Sequence, residues 1–168
     1  MMEVAFDKRN LYQEQHFWYA VYTIVRHEKS VNAALTKKAI KTFLPIKKVV
    51  SRWKDRKKEV SIPLFPGYIF ANSPEEARLN ILNTQGVIRI LGTYGELTPV
   101  PEEQIEFIKA LLKTNLNYDP WPYFAEGKEV IVVKGPLEGM CGKIVERRGE
   151  FRLILSIDLI QRSISVEV

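Results

Sequence analysis

Phe124-Ala125-Glu126-Gly127-Lys128-Glu129-Val130-Ile131-Val132-Val133-Lys134-Gly135-Pro136-Leu137-Glu138-Gly139-Met140-Cys141-Gly142-Lys143-Ile144-Val145-Glu146 opens the last 45 residues of the chain. Glycines stand at 127, 135, 139 and 142, and a Val/Ile run separates the first two. Such a run, closed by a Gly-Pro pair, reads as strand, tight turn, strand. Gly135 and Gly139 are expected to supply the backbone freedom of that turn. Residues 151–168 are rich in Ile, Leu and Val and read as two further strands, broken near Gln161-Arg162-Ser163. A tail of about 45 residues made only of short strands buries a core by closing into a small barrel.

Upstream of this tail the pattern changes. Residues 17–24 put Trp18, Ala20, Tyr22 and Ile24 on one face and Phe17, Tyr19, Val21 and Thr23 on the other. Two apolar faces predict a strand buried on both sides. Residues 28–40 read as a helix, with Val31, Ala34, Leu35 and Lys38 at i, i+3, i+4 and i+7. Residues 43–51 read as a strand kept near an edge by Pro45. Residues 59–64 and 67–71 continue the sheet across Pro66-Gly67. Ser73-Pro74-Glu75-Glu76 predicts a helix start with a capping hydroxyl. A strand is expected over 87–91, and Pro101-Glu102-Glu103 opens a third helix. Residues 115–124, with Asn, Asp and two prolines, read as a linker. The expected fold is α+β: an α/β sandwich of mixed sheet with three helices, followed by a small β-barrel. The expected boundaries are a tail over 1–15, a first domain over 16–114, the linker, and the barrel domain over 125–168.

Charge narrows the function. The 168 residues carry a net charge of +5. Residues 47–58 hold seven basic residues and one acid, so the rest of the chain, with 18 basic and 19 acidic residues, is close to neutral. One basic protrusion on a neutral body points to a local polyanion contact. The single cysteine, Cys141, allows no internal disulfide and suits a reducing cytosol. No apolar run approaches the roughly 20 residues of a membrane span. Glu3, Asp7, Lys8 and Arg9 do not read as a secretory signal. A cytoplasmic setting is expected. Catalysis finds little support: the two histidines, His16 and His27, and Cys141 have no metal-ligand spacing, and nucleophile-elbow and phosphate-loop motifs are absent. Glu102 and Glu103 are better explained as first-turn helix acids. The expectation is a non-enzyme with no catalytic residue, metal or cofactor.

The tail resembles a KOW module. The order of His16-Phe17-Trp18-Tyr19-Ala20-Val21-Tyr22-Thr23, then Ile62-Pro63-Leu64-Phe65-Pro66-Gly67-Tyr68-Ile69-Phe70, then Asn83-Thr84-Gln85-Gly86-Val87-Ile88-Arg89-Ile90-Leu91-Gly92 resembles the N-terminal domain of the NusG family of transcription elongation factors. The resemblance spans roughly residues 16–168. The ending from Asp158 to Val168 looks most like the specialised, operon-specific antiterminators of the UpxY, LoaP and RfaH type. It implies a monomer that binds the clamp helices of RNA polymerase and suppresses pausing or termination. The rival readings are a housekeeping factor coupling transcription to translation, and a module whose main ligand is a structured nascent RNA.

Four groups of residues follow from combining residue chemistry with this resemblance. Trp18, Phe65, Tyr68 and Ile88 are the polymerase-binding candidates; aromatics are enriched at docking centres, and the alternative is core packing. Arg52, Trp53, Lys54, Arg56, Lys57 and Lys58 are candidates for phosphate contact with an aromatic to stack on an unpaired base; the alternative is a solvated hairpin. Asn83, Thr84 and Gln85 carry groups able to bond base edges, and Arg89 could hold a phosphate; the alternative is a helix stop and turn. The family places the hairpin near the upstream fork of the transcription bubble, and the 83–85 loop against non-template DNA. In the barrel, housekeeping members carry a Phe-Gly-Arg-type turn used with Rho and with the small ribosomal subunit. Here Arg162 survives, but the preceding aromatic and glycine do not. Rho is therefore not expected as a partner, and a ribosomal contact through the barrel stays open.

Overall fold

The computed structural model describes residues 15–53, 55–147 and 149–167. The tail expected over 1–15 thus falls, apart from Gln15, outside the described residues. The first part of the chain runs β1 (Phe17–Thr23), α1 (Glu28–Lys37), β2 (Lys41–Phe43), β3 (Ile46–Trp53), β4 (Arg56–Pro63), β5 (Tyr68–Ser73), a 3-10 turn (Glu75–Ala77), α2 (Arg78–Leu82), β6 (Val87–Ile90), the short pair β7 (Gly92–Thr93) and β8 (Glu96–Leu97), and α3 (Glu102–Leu112). The second part runs β9 (Tyr118–Pro122), β10 (Lys128–Ile131), β11 (Cys141–Arg147), β12 (Glu150–Ile157), a 3-10 turn (Asp158–Ile160) and β13 (Arg162–Glu167).

The main sheet has the order β2-β5-β1-β6, and each pairing is antiparallel. The mixed sheet expected from the helical crossovers is thereby corrected. β1 and β2 do run parallel across α1, but β5 is inserted between them; β5 and β6 run parallel across α2 with β1 between them. Two interlocked split βαβ units give parallel strands that are never neighbours. β1 is covered on both faces as its sequence requires. Tyr19 and Val21 pack with Val31, Leu35 and Ile81 of the first two helices. Trp18 and Ala20 pack on the other side with Ile105, Ile108 and Leu111 of α3.

Helix α1 stops short of its expected end at Ile40. The Ile40 N–H donates to the Leu35 carbonyl (3.1 Å) and the Ala39 N–H to the Thr36 carbonyl (3.0 Å). That is a Schellman motif, with Ala39 in the left-handed region at φ 60° and Leu35 and Ile40 as its apolar pair. Ser73 does not cap a helix. It is the last residue of β5, opposite Phe17, and buried; its hydroxyl has no hydrogen-bond partner among the described residues. Strand alternation has turned the side chain inward, and the chain enters α2 through the 3-10 turn instead.

β3 and β4 form a separate two-stranded ribbon rather than continuing the sheet. Its base is closed by the Leu64 N–H donating to the Pro45 carbonyl (2.8 Å). Eight residues a strand give a reach of about 27 Å.

The second part is a five-stranded antiparallel sheet of order β10-β11-β12-β13-β9. The segment expected as a tether holds β9, which pairs with β13. Its prolines, 120 and 122, sit on a strand at the end of the sheet order, where a missing donor costs little. The two parts share one core: Phe65, Phe70 and Leu91 of the first join Leu137, Leu153 and Ile160 of the second in a single buried cluster. Lys47, at the foot of the ribbon, donates to the Tyr118 carbonyl (2.5 Å) and pairs with Asp119 (2.6 Å). Among the described residues, no helix is long and apolar enough to cross a membrane.

Candidate functional site

The turn between β4 and β5 carries two of the aromatic candidates, Phe65 and Tyr68. Phe65 is buried and meets Phe70 edge-on, with ring centres 6.4 Å apart. Gly67 adopts φ +83°, a conformation L side chains rarely take. The Tyr68 N–H closes the turn on the Phe65 carbonyl (3.0 Å). Gly67 is held from two sides: its carbonyl accepts from the Thr23 N–H (2.8 Å), and its N–H donates to the buried carboxylate of Glu28 (2.7 Å).

The four candidates separate by depth. Trp18 is 3% exposed, with the ammonium groups of Lys109 and Lys41 at 4.8 and 5.6 Å from its ring centre. Trp18 and Phe65 therefore belong to the core of this state. Ile88 points outward at 51% exposure. Tyr68 lies at the rim, half-buried, its ring 5.2 Å from that of Tyr22. Cations flank this pair, with Arg89 5.7 Å from the Tyr22 ring and Arg162 6.0 Å from the Tyr68 ring. A cleft of about 460 Å³ lies between Tyr68, Arg89 and Leu91 on one side and Leu159, Gln161 and Arg162 on the other. The second part of the chain thus stands against the rim that carries Tyr68.

The loop after α2 divides as well. Asn83, Gln85 and Arg89 are exposed. Thr84 is buried; its hydroxyl donates to the Asn80 carbonyl (2.9 Å) and accepts from Lys38 (2.8 Å). With its proton and one lone pair used internally, the buried Thr84 hydroxyl ties the loop to α1 and α2.

At the ribbon tip Arg52, Arg56, Lys57 and Lys58 are exposed, and none forms an ion pair among the described residues. Lys54 lies outside the described residues, and Trp53 is placed by its backbone opposite Arg56. Arg52 stands directly opposite Lys57. Like charges facing across a strand pair repel, so a bound polyanion would relieve the ribbon as well as be attracted by it. Lower down, Lys48 is paired with Glu59 (3.0 Å) and Lys47 with Asp119. The charge available to a ligand is therefore concentrated at the tip.

In the second part, Gly135 and Gly139 take φ +110° and +82°, with space for a Cβ at either. Their role is conformational, as the sequence suggests. Gln161 also sits in the left-handed region (φ 51°), which favours glycine, and its side chain donates to the Asp158 carbonyl (2.7 Å). Ile160, just before it, is buried. Among the described residues, no group of three or more His, Cys, Asp or Glu could hold a metal ion. Sequence reasoning passed over Glu28 because a first-turn acid already has an explanation, and over the Lys47–Asp119 pair because the two residues are 72 positions apart.

The fold is thus a split-βαβ sheet with a basic ribbon, joined to a small antiparallel sheet beside an aromatic rim. Residues 16–109 match the family described as NusG, transcription termination factor nusG, and the chain belongs to that family. The transcription termination/antitermination protein NusG of Lactococcus lactis subsp. lactis is 26% identical over 176 residues, covering 96% of this chain and 94% of the relative. That of Thermus thermophilus is 29% identical over 163 residues, covering 83% and 89%. The solved structure of Thermotoga maritima NusG that describes its domain interaction shares the fold, with a TM-score of 0.55 and 24% identity over 90% of this chain and 92% of that one.

Proposed function

We propose that this chain binds the clamp helices of RNA polymerase through the rim around Tyr68 and suppresses pausing or termination on a restricted set of operons. The observation that carries the reading is the cover over that rim: the Leu159–Arg162 turn faces Tyr68 and Arg89 across a narrow cleft. A factor whose docking face is covered acts only where something uncovers it, which suits selective recruitment. Once the cover leaves, Tyr68 and Ile88 supply apolar contact, with Phe65 and Trp18 beneath them. The ribbon tip then meets phosphates near the upstream edge of the open DNA, and Asn83, Gln85 and Arg89 face the non-template strand. Action is steric and allosteric: the clamp is held closed, and no bond is made or broken. The setting is the cytoplasm.

In vitro transcription past a Rho-dependent site tests the class. The buried Ile160 and the Gln161 turn predict no added termination with Rho, and increased readthrough on a template bearing the operon's own leader. Enhanced termination at a standard Rho site would return the chain to the housekeeping class.

A further inference from the structure

We infer that the first turn of α1 is a brace that fixes the Phe65–Tyr68 turn and the 83–86 loop in one geometry, with Glu28 as its positioning residue. Glu28 is 2% exposed. A carboxylate that deep is costly unless its charge is met. Here it lies in the first turn of α1, where the helix dipole favours an anion, and accepts the Gly67 N–H at 2.7 Å. The positive φ of Gly67 leaves its amide outside the β1–β5 pairing, so Glu28 gives that N–H its partner.

The same end of β1 serves the second loop. A bulge falls between Tyr22 and Thr23, and the next two amides diverge. Thr23 N–H bonds the Gly67 carbonyl (2.8 Å), and Ile24 N–H bonds the Gly86 carbonyl (2.9 Å). Gly86 packs against α1 so closely that a Cβ there would lie 2.8 Å from Val31 Cγ2 and 3.5 Å from His27 Cβ. His27, Glu28 and Val31 thus touch both loops from one helical turn. One loop carries Tyr68 and the other Asn83 and Gln85, so their spacing is set here rather than by either loop itself. The brace is a structural statement; its effect on binding rests on the proposed docking role of Tyr68.

The test compares Glu28→Ala, Glu28→Asp and Glu28→Gln in the full chain. Gln keeps the length and an accepting oxygen; Asp keeps the charge but is one methylene short. Amide exchange is expected to speed up about tenfold at Gly67, Tyr68 and 84–87 in the Ala variant, with β9–β13 unaffected. The Asp variant should behave like Ala, and the Gln variant should return to wild-type exchange. Polymerase affinity should follow the same order, and Tyr68→Ala should add less in the Ala background than alone. Wild-type exchange in the Ala and Asp variants, or no rescue by Gln, overturns the brace. If Ala does not fold, the contrast between Asp and Gln decides. If Tyr68→Ala leaves polymerase binding intact, the docking role fails, and the exchange data still judge the brace.

Discussion

The guanidinium of Arg162 lies 6.0 Å from the centre of the Tyr68 ring, joining the turn of one domain to the aromatic rim of the other. A cation over an aromatic face at a partly exposed site contributes about 0.5–1 kcal/mol. Lys47 and Asp119 form a second pin of about the same size. Arg162→Ala combined with Asp119→Ala should shift the docked population by about tenfold toward the open form. If docking dominates in the free chain, polymerase binding tightens by up to that factor. Interdomain distance by paired fluorophores, read beside a binding titration, checks both. Weaker binding from the double variant would mean that these residues contact polymerase themselves.

If Tyr68 docks polymerase as proposed, Tyr68→Ala removes that contact and one pin together, and the two effects oppose. Loss of a docking centre costs about 1–3 kcal/mol of binding, more than the pin restrains. The net result is weaker binding. In an Arg162→Ala background the pin is already gone, so the loss should be larger there. Isothermal titration against polymerase with the four chains of this cycle gives the answer. Equal affinity for a folded Tyr68→Ala variant would remove the residue from the interface.

The ribbon should bind single-stranded nucleic acid with a steep salt dependence. If Lys54, Arg56, Lys57 and Lys58 neutralise about four phosphates, log affinity falls with log salt at a slope near −3. Replacing all four by Gln flattens it. Trp53→Ala should instead lower affinity by about 1–3 kcal/mol at nearly constant slope, because stacking releases few counterions. Fluorescence titrations with single-stranded DNA and hairpin RNA at several salt concentrations separate the two. A preference for the hairpin promotes the nascent-RNA reading, and no binding of either at low salt removes the ribbon from the site.

Ala39→Gly should stabilise the protein. Ala39 occupies the left-handed position of a Schellman motif, where a Cβ costs about 1 kcal/mol. With the Leu35–Ile40 contact retained, a rise of about 2–4 °C in Tm is expected. Thermal unfolding followed by circular dichroism measures it; a lower Tm would show that the Ala39 methyl makes packing contacts outweighing the backbone strain.

Periodicity made β1 and its two buried faces legible, because Trp18, Ala20 and Tyr22 alternate with Tyr19 and Val21 against two separate clusters. Turn chemistry did the same for the 135–139 turn. What depends on long-range placement was not legible. Pro120 and Pro122 read as tether because an edge strand and a linker tolerate the same residues. Thr84 could be read either as a base contact or as part of a helix stop, because its partners, Asn80 and Lys38, meet it only after α1 and α2 pack together. Tyr68 stood out as a docking candidate with core packing as its alternative, and its facing Arg162 lies far along the chain and shares no local pattern with it.

The closed foot of the ribbon, Leu64 on Pro45, makes residues 46–63 a cassette. Its described residues take no part in the ladder of β2, β5, β1 and β6, and it meets α1 where Lys29 donates to the Ser61 carbonyl (2.9 Å). If the tip binds nucleic acid, exchanging the cassette would change which nucleic acid the same body takes. Lys47 travels inside that cassette, however, and so carries half of the interdomain pin with it. A ribbon swap that loses Lys47 would therefore also loosen the hold of the first part of the chain on the second.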